Sequence, residues 1–82
     1  MLSLVGIGVT ERGVTLQGLQ TLKDADSVYV EVFTSKPPRL TLLESMIEKP
    51  ITPLYRASME QNVNVIIEEA RETHVAICII GD

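Results

Sequence analysis

Leu2 to Ile7 form a nearly continuous apolar run of strand length that breaks at Gly8, and they predict a first strand. After it, Thr15 stands as a cap before Leu16, Leu19, Leu22 and Ala25, which recur at spacing three and predict a helix with Lys23 and Asp24 on its polar side. Ser27 to Phe33 carry β-branched and aromatic residues without helical periodicity, so they read as a second strand. Pro37 and Pro38 stop that strand, and Pro38 suits the first turn of a short helix with Leu40, Leu43, Met46 and Ile47 on one face. Pro50 and Pro53 bracket Ile51 to Leu54; since proline donates nothing to a ladder, any strand here is short and peripheral. Ser58 caps a longer helix whose face carries Met59, Val63, Ile66, Ile67 and Ala70, while Glu60, Asn64, Glu68 and Glu72 face away. Val75 to Ile80 are apolar on both faces, the pattern of a central strand covered on each side.

Strands alternating with helices define an α/β fold with a parallel sheet and right-handed crossovers. The carboxyl ends of the strands then share one edge, and a ligand site belongs along it. The sequence holds no internal repeat and no interdomain linker, so residues 1–82 read as one α/β lobe. A central strand has to continue into a connection, yet Gly81 and Asp82 follow it and close the sequence. The expectation is a fragment, truncated after the fourth strand, whose missing part supplies a further crossover helix and the opposite wall of a cleft.

Composition narrows the function classes. Seven Lys and Arg against eleven Asp and Glu give a net charge of −4, which leaves no surplus of positive charge for phosphates and argues against nucleic acid. No apolar run approaches the roughly 20 residues that span a bilayer, and the start lacks the basic region and cleavage site of a signal peptide, so a cytoplasmic protein without membrane association is expected. One cysteine and one histidine build neither a disulfide nor a Cys/His zinc site, and no metal site is assigned.

Several residues are candidates for chemistry. Gly6, Ile7 and Gly8 close the first strand and lead through Val9, Thr10, Glu11, Arg12 and Gly13 towards the first helix, where glycines let a ligand approach and helix N–H groups favour anions. A dinucleotide fingerprint needs glycine or alanine at position 11, and the carboxylate of Glu11 repels a pyrophosphate. A simple tight turn is the other reading of these glycines. Gly18, inside a helix, costs about 1 kcal/mol relative to alanine, and close packing on the first strand is its expected compensation. Glu31 stands where nucleotide-binding folds place a carboxylate for ribose hydroxyls, although an exposed edge position is favoured for it. Asp82 follows the fourth strand at the ligand edge, as an acceptor or as a turn former. His74 has no Ser, Cys or second His near it in sequence and reads as a surface turn residue; Cys78 reads as an inert buried thiol. Glu68, Glu69 and Glu72 read as a solvated helix face, and Tyr29, Phe33 and Tyr55 are too few for base stacking.

Taken together, these residues resemble the N-terminal part of the diphthine synthase family, also called diphthamide biosynthesis methyltransferases, in the tetrapyrrole methylase-like superfamily. The likeness runs through Met1, Leu2 and Leu4 to Gly8, Thr15 to Leu19, Ala25 to Ser35, Glu60 to Asn62 and Val75, Ala76 up to Gly81 and Asp82, with Tyr29, Glu31, Thr34 and Ser35 its most specific element. The resemblance implies an S-adenosylmethionine-dependent methyltransferase that methylates the amine of a modified histidine on elongation factor 2 in diphthamide biosynthesis. It further implies a two-lobed homodimer with the cofactor between the lobes, and cofactor contacts at Val9 and Asp82, with no catalytic residue named. Tyr55 and Ala57 flank Arg56 where the family has acidic residues, and Phe33 stands in place of tyrosine. Two other classes are weighed beside it: another nucleotide-binding α/β enzyme, which would use Glu31 on a ribose, and a non-catalytic α/β interaction module.

Overall fold

A computed structural model describes residues 1–7, 14–32, 39–55 and 59–80. Four strands and three helices alternate: β1 (Leu2–Ile7), α1 (Leu16–Asp24), β2 (Ser27–Val32), α2 (Arg39–Ile47), β3 (Ile51–Tyr55), α3 (Met59–Glu72) and β4 (Val75–Ile80). The strands form one sheet in the order β1-β4-β2-β3, with all three pairings parallel. The expected α/β class, the central place of β4 and the peripheral place of the proline-bearing β3 all hold.

Alternation along the strands sorts the two faces. Val5, Ile7, Val28, Val30, Val32, Ala76 and Cys78 are buried in one core with Leu22 of α1, and Leu40, Leu43 and Ile47 of α2 close it. Right-handed connections put α1 and α2 on this face, because β1 to β2 and β2 to β3 advance in the same direction across the sheet. From β3 to β4 the chain turns back, so α3 lies on the other face, where Ile66 packs with Leu54 and Val75.

The local reasons for the elements are visible in their caps. The Thr15 hydroxyl accepts from the Gly18 backbone N–H at 2.9 Å and satisfies one of the otherwise orphaned donors at the start of α1. At its other end, the Lys49 ammonium donates to the Lys23 carbonyl at 2.7 Å and also to the Ala25 carbonyl. A Cβ placed on Gly18 would stand 3.0 Å from Val5 Cγ1, which confirms that this glycine lets α1 press onto β1.

Three apolar faces differ from expectation. Leu16 is 87% exposed although it shares the spacing-three pattern of Leu19, Leu22 and Ala25. A strict three-residue repeat drifts about 60° per step around a 3.6-residue helix, so Leu16 and Ala25 lie on opposite sides. Met46, at the wrong angle from Leu40, Leu43 and Ile47, is likewise exposed. On α3, Ile66 is buried but Val63 and Ile67 are open, because the sheet beneath them has no further covering among the described residues.

Candidate functional site

The carboxyl edge of the sheet is built by two neighbouring strands. In the β1–β4 ladder Gly6 pairs with Ile79 and Ile7 with Ile80, so the first and fourth strands reach the same level and finish side by side. The parallel order that any site along this edge requires is therefore present. Among the described residues, a Cβ placed on Gly6 would meet nothing within 4 Å. Val9 and Asp82, the expected cofactor contacts, lie outside the described residues, as do Gly8, Glu11, Phe33, Thr34, Ser35 and Gly81.

Glu31 is placed differently from the favoured expectation. It lies on β2, an inner strand between β4 and β3, pairs with Leu54 and is half-buried rather than at an exposed edge. Its side chain borders an open apolar groove on the α3 face together with Leu4, Val63, Ile67, Ile77 and Ile79. Of the expected polar candidates in the described segments, it is the one nearest the carboxyl edge.

Other titratable groups have structural work. The Tyr29 hydroxyl donates to Glu69 Oε1 at 2.6 Å, and this carboxylate, with burial, pushes the phenol up to about 12. Glu69 is held below the usual carboxylate range by hydrogen bonds from Ser27 and then Tyr29, so it is not part of a purely solvated helix face. Glu68 fits that description better, exposed and 3.6 Å from Arg71. Cys78 is fully buried, and burial pushes its thiol up to about 12, in keeping with an inert core residue.

His74 is more than a surface turn. Its Nε2 lies 2.9 Å from Ser3 Oγ, a neighbour that sequence separation concealed. Its backbone N–H donates to Asp26 Oδ2 at 2.8 Å, and its carbonyl accepts from the Asp26 N–H at 2.7 Å. The Met1 ammonium donates to the Thr73 carbonyl at 2.8 Å close by. All of this sits at the amino edge of the sheet, away from the candidate site, and the Asp26 carboxylate addresses the backbone rather than the imidazole. The cluster fastens β1, β2 and the end of α3 together.

The described residues form a parallel α/β sheet in which β1 and β4 finish side by side at the carboxyl edge. No family model matches the chain. Over its whole length the chain is 39% identical to a diphthine synthase of Haloarcula marismortui, covering 33% of that protein. It is 38% identical to a diphthine methyl ester synthase of Neurospora crassa, covering 29% of it. A crystal structure of diphthine synthase superposes on 99% of the chain with a TM-score of 0.82 and 32% identity, over 33% of its own length. The chain thus resembles the N-terminal part of diphthine synthases and spans about a third of the relatives it matches.

Proposed function

We propose that residues 1–82 form the N-terminal lobe of a longer two-lobed diphthine synthase, an S-adenosylmethionine-dependent methyltransferase. The observation that carries this reading is the in-register finish of β1 and β4 at Ile7 and Ile80 in a chain 39% identical to a diphthine synthase.

In this reading Asp82 accepts polar hydrogens of the cofactor and Val9 gives it an apolar or backbone contact. The room beside Gly6 among the described residues suits the approach of such a group. Bound there, S-adenosylmethionine supplies a methyl group on a sulfonium, and the acceptor is the amine of the modified histidine of elongation factor 2. In-line displacement by a neutral amine needs no covalent enzyme intermediate, so orientation and exclusion of water account for much of the catalysis. The lobe's task is to hold and orient, which fits an edge without a Ser/His or Cys/His constellation among the described residues. The longer protein acts as a cytoplasmic homodimer, and the 82-residue piece alone, with one wall of the cleft, is inactive.

The test is calorimetric titration of S-adenosylhomocysteine into full-length protein and its Asp82→Ala variant. Loss of the acceptor weakens binding at least about tenfold, equivalent to about 1.4 kcal/mol. Unchanged affinity overturns the site assignment. Tighter binding of NAD than of S-adenosylhomocysteine by the unaltered protein favours the other nucleotide-binding class.

A further inference from the structure

β3 stands at one end of the sheet, with β2 on its inner side and no described strand on its outer side. Along a parallel strand the backbone groups of successive residues point alternately to the two sides. Pro53 has no N–H to donate, so although its Cα partner is Val30 of β2, its nitrogen belongs to the outward row. Ile51 and Tyr55 share that phase, whereas Thr52 and Leu54 direct their N–H groups at β2. The outward donors along β3 are therefore those of Ile51 and Tyr55, with a gap between them at Pro53.

The first of these donors is already taken. The Ile51 N–H donates to Glu44 Oε2 at 2.7 Å, a bond between α2 and the outer side of β3. Glu44 is half-buried beside Leu43 and Ile47, which pack into the core, so the packing of α2 on the sheet fixes where the carboxylate lies. A hydrogen bond to an ionised acceptor is stronger than the amide–carbonyl bond of a ladder. A strand arriving at this edge would exchange the stronger bond for the weaker one at Ile51 and then find no donor at Pro53.

We propose that Glu44 and Pro53 together close the outer edge of β3 to strand addition, and that the strand they keep out is β3 of a second copy. A sheet edge is a ready template for pairing with another chain, and a second copy always carries the same edge. Two such edges related by a two-fold axis meet antiparallel, so the positions that matter on one are the positions that matter on the other. Glu44 thus has a task beyond the turn from α2 to β3: its carboxylate occupies a donor that would otherwise recruit a neighbour. A role confined to that turn is the competing reading, and the experiment separates the two. The inference rests on hydrogen bonding along β3 and does not depend on the methyltransferase reading.

The test compares self-association of the full-length protein with that of Glu44→Ala, Glu44→Gln and the pair Glu44→Ala with Pro53→Thr, by sedimentation over a concentration series. Glu44→Ala should strengthen self-association beyond that of the unaltered protein by at least about tenfold, and the pair should strengthen it further. Glu44→Gln keeps an acceptor for Ile51 and should behave as the unaltered protein. Benzoyl-phenylalanine in place of the exposed Thr52, irradiated in a mixture of isotope-labelled and unlabelled copies, should then link the paired variant to the β3 peptide of the other copy. A paired variant that is folded by circular dichroism and associates no more tightly than the unaltered protein overturns the proposal. So does association without that link, and so does Glu44→Gln associating like Glu44→Ala. Should the paired variant not fold, Glu44→Ala alone decides by the same two readouts.

Discussion

The Tyr29 phenol and the Glu69 carboxylate, 40 residues apart in sequence, meet at 2.6 Å and tie β2 to α3. Tyr29→Phe removes the donor and leaves Glu69 with Ser27 as a remaining partner, so the expected loss is about 1 kcal/mol in urea unfolding. The pH dependence has a definite sign. The Tyr29 phenol titrates near 12 in the folded chain against an ordinary value of 10, so its contribution is complete below about 10 and is lost between there and 12. Glu69, held low, contributes above the ordinary carboxylate range and loses that contribution as pH falls through its depressed value. Stability measured from pH 8 to 11.5 should fall less steeply in Tyr29→Phe than in the unaltered chain. Parallel curves would show the bond to be energetically silent.

Gly18→Ala sets two effects against each other. Alanine gains about 1 kcal/mol of helix propensity, whereas its Cβ would sit 3.0 Å from Val5 Cγ1 in a buried β1 side chain that has little freedom to move. The clash wins, with a net loss of about 1 kcal/mol. In a double-mutant cycle with Val5→Ala the penalty of alanine at 18 should vanish or reverse. Strict additivity would show that Val5 is not what keeps glycine there.

Much of this fold was legible in sequence because each strand carries its own period. Val75–Ile80 reads as central since both of its faces are apolar, and Pro53 confines its strand to an edge. What escaped were relations across the sheet. Ser3 and His74 are 71 residues apart, and only the β1–β4 pairing brings them to 2.9 Å. Glu31 read as an edge residue by alternation alone, which cannot tell an inner strand from an outer one; strand order decides that. Glu69 was grouped with its charged neighbours on α3, but only the sheet's face reveals which glutamate leans onto Tyr29. Val9 and Asp82 rest on resemblance, since the geometry reaches to the strand ends from which they follow.

Cys78 lies in the most enclosed part of the sheet, with its thiol pushed up to about 12 by burial. The thiolate is the reactive form, so at pH 8 iodoacetamide should modify native protein at least about a hundredfold more slowly than urea-unfolded protein. Peptide mass spectrometry after timed quenching measures both rates. Comparable rates would mean that β4 opens readily and is not a packed central strand.

Glu48, directly after α2, is the one non-glycine residue of positive φ, 59°, among the described residues. Helices commonly end through such a left-handed residue, and glycine occupies it without the Cβ penalty. Glu48 is exposed, so its replacement should disturb nothing else. Glu48→Gly is expected to raise stability by about 1 kcal/mol in urea unfolding, an unusual sign for glycine. A loss of stability would show that the side chain supports the turn in a way its φ does not reveal.

Lys49 joins two elements through one cation. Its ammonium donates to the carbonyls of Lys23 and Ala25, where α1 finishes and its last carbonyls lack helical partners, and where the helix dipole also favours positive charge. From its place after α2 it holds that helix against the end of α1. Lys49→Met keeps the aliphatic stem while removing the charge and both hydrogen bonds, and about 1–2 kcal/mol should be lost. Lys49→Arg keeps the charge in a different shape and should recover part of that loss. Because the interaction is partly electrostatic and near the surface, the gap between unaltered chain and Lys49→Met should narrow between 0.05 and about 1 M salt, as screening shortens to about 3 Å. Equal destabilisation by methionine and arginine at every salt concentration would assign the role to the geometry of the lysine stem rather than to its charge.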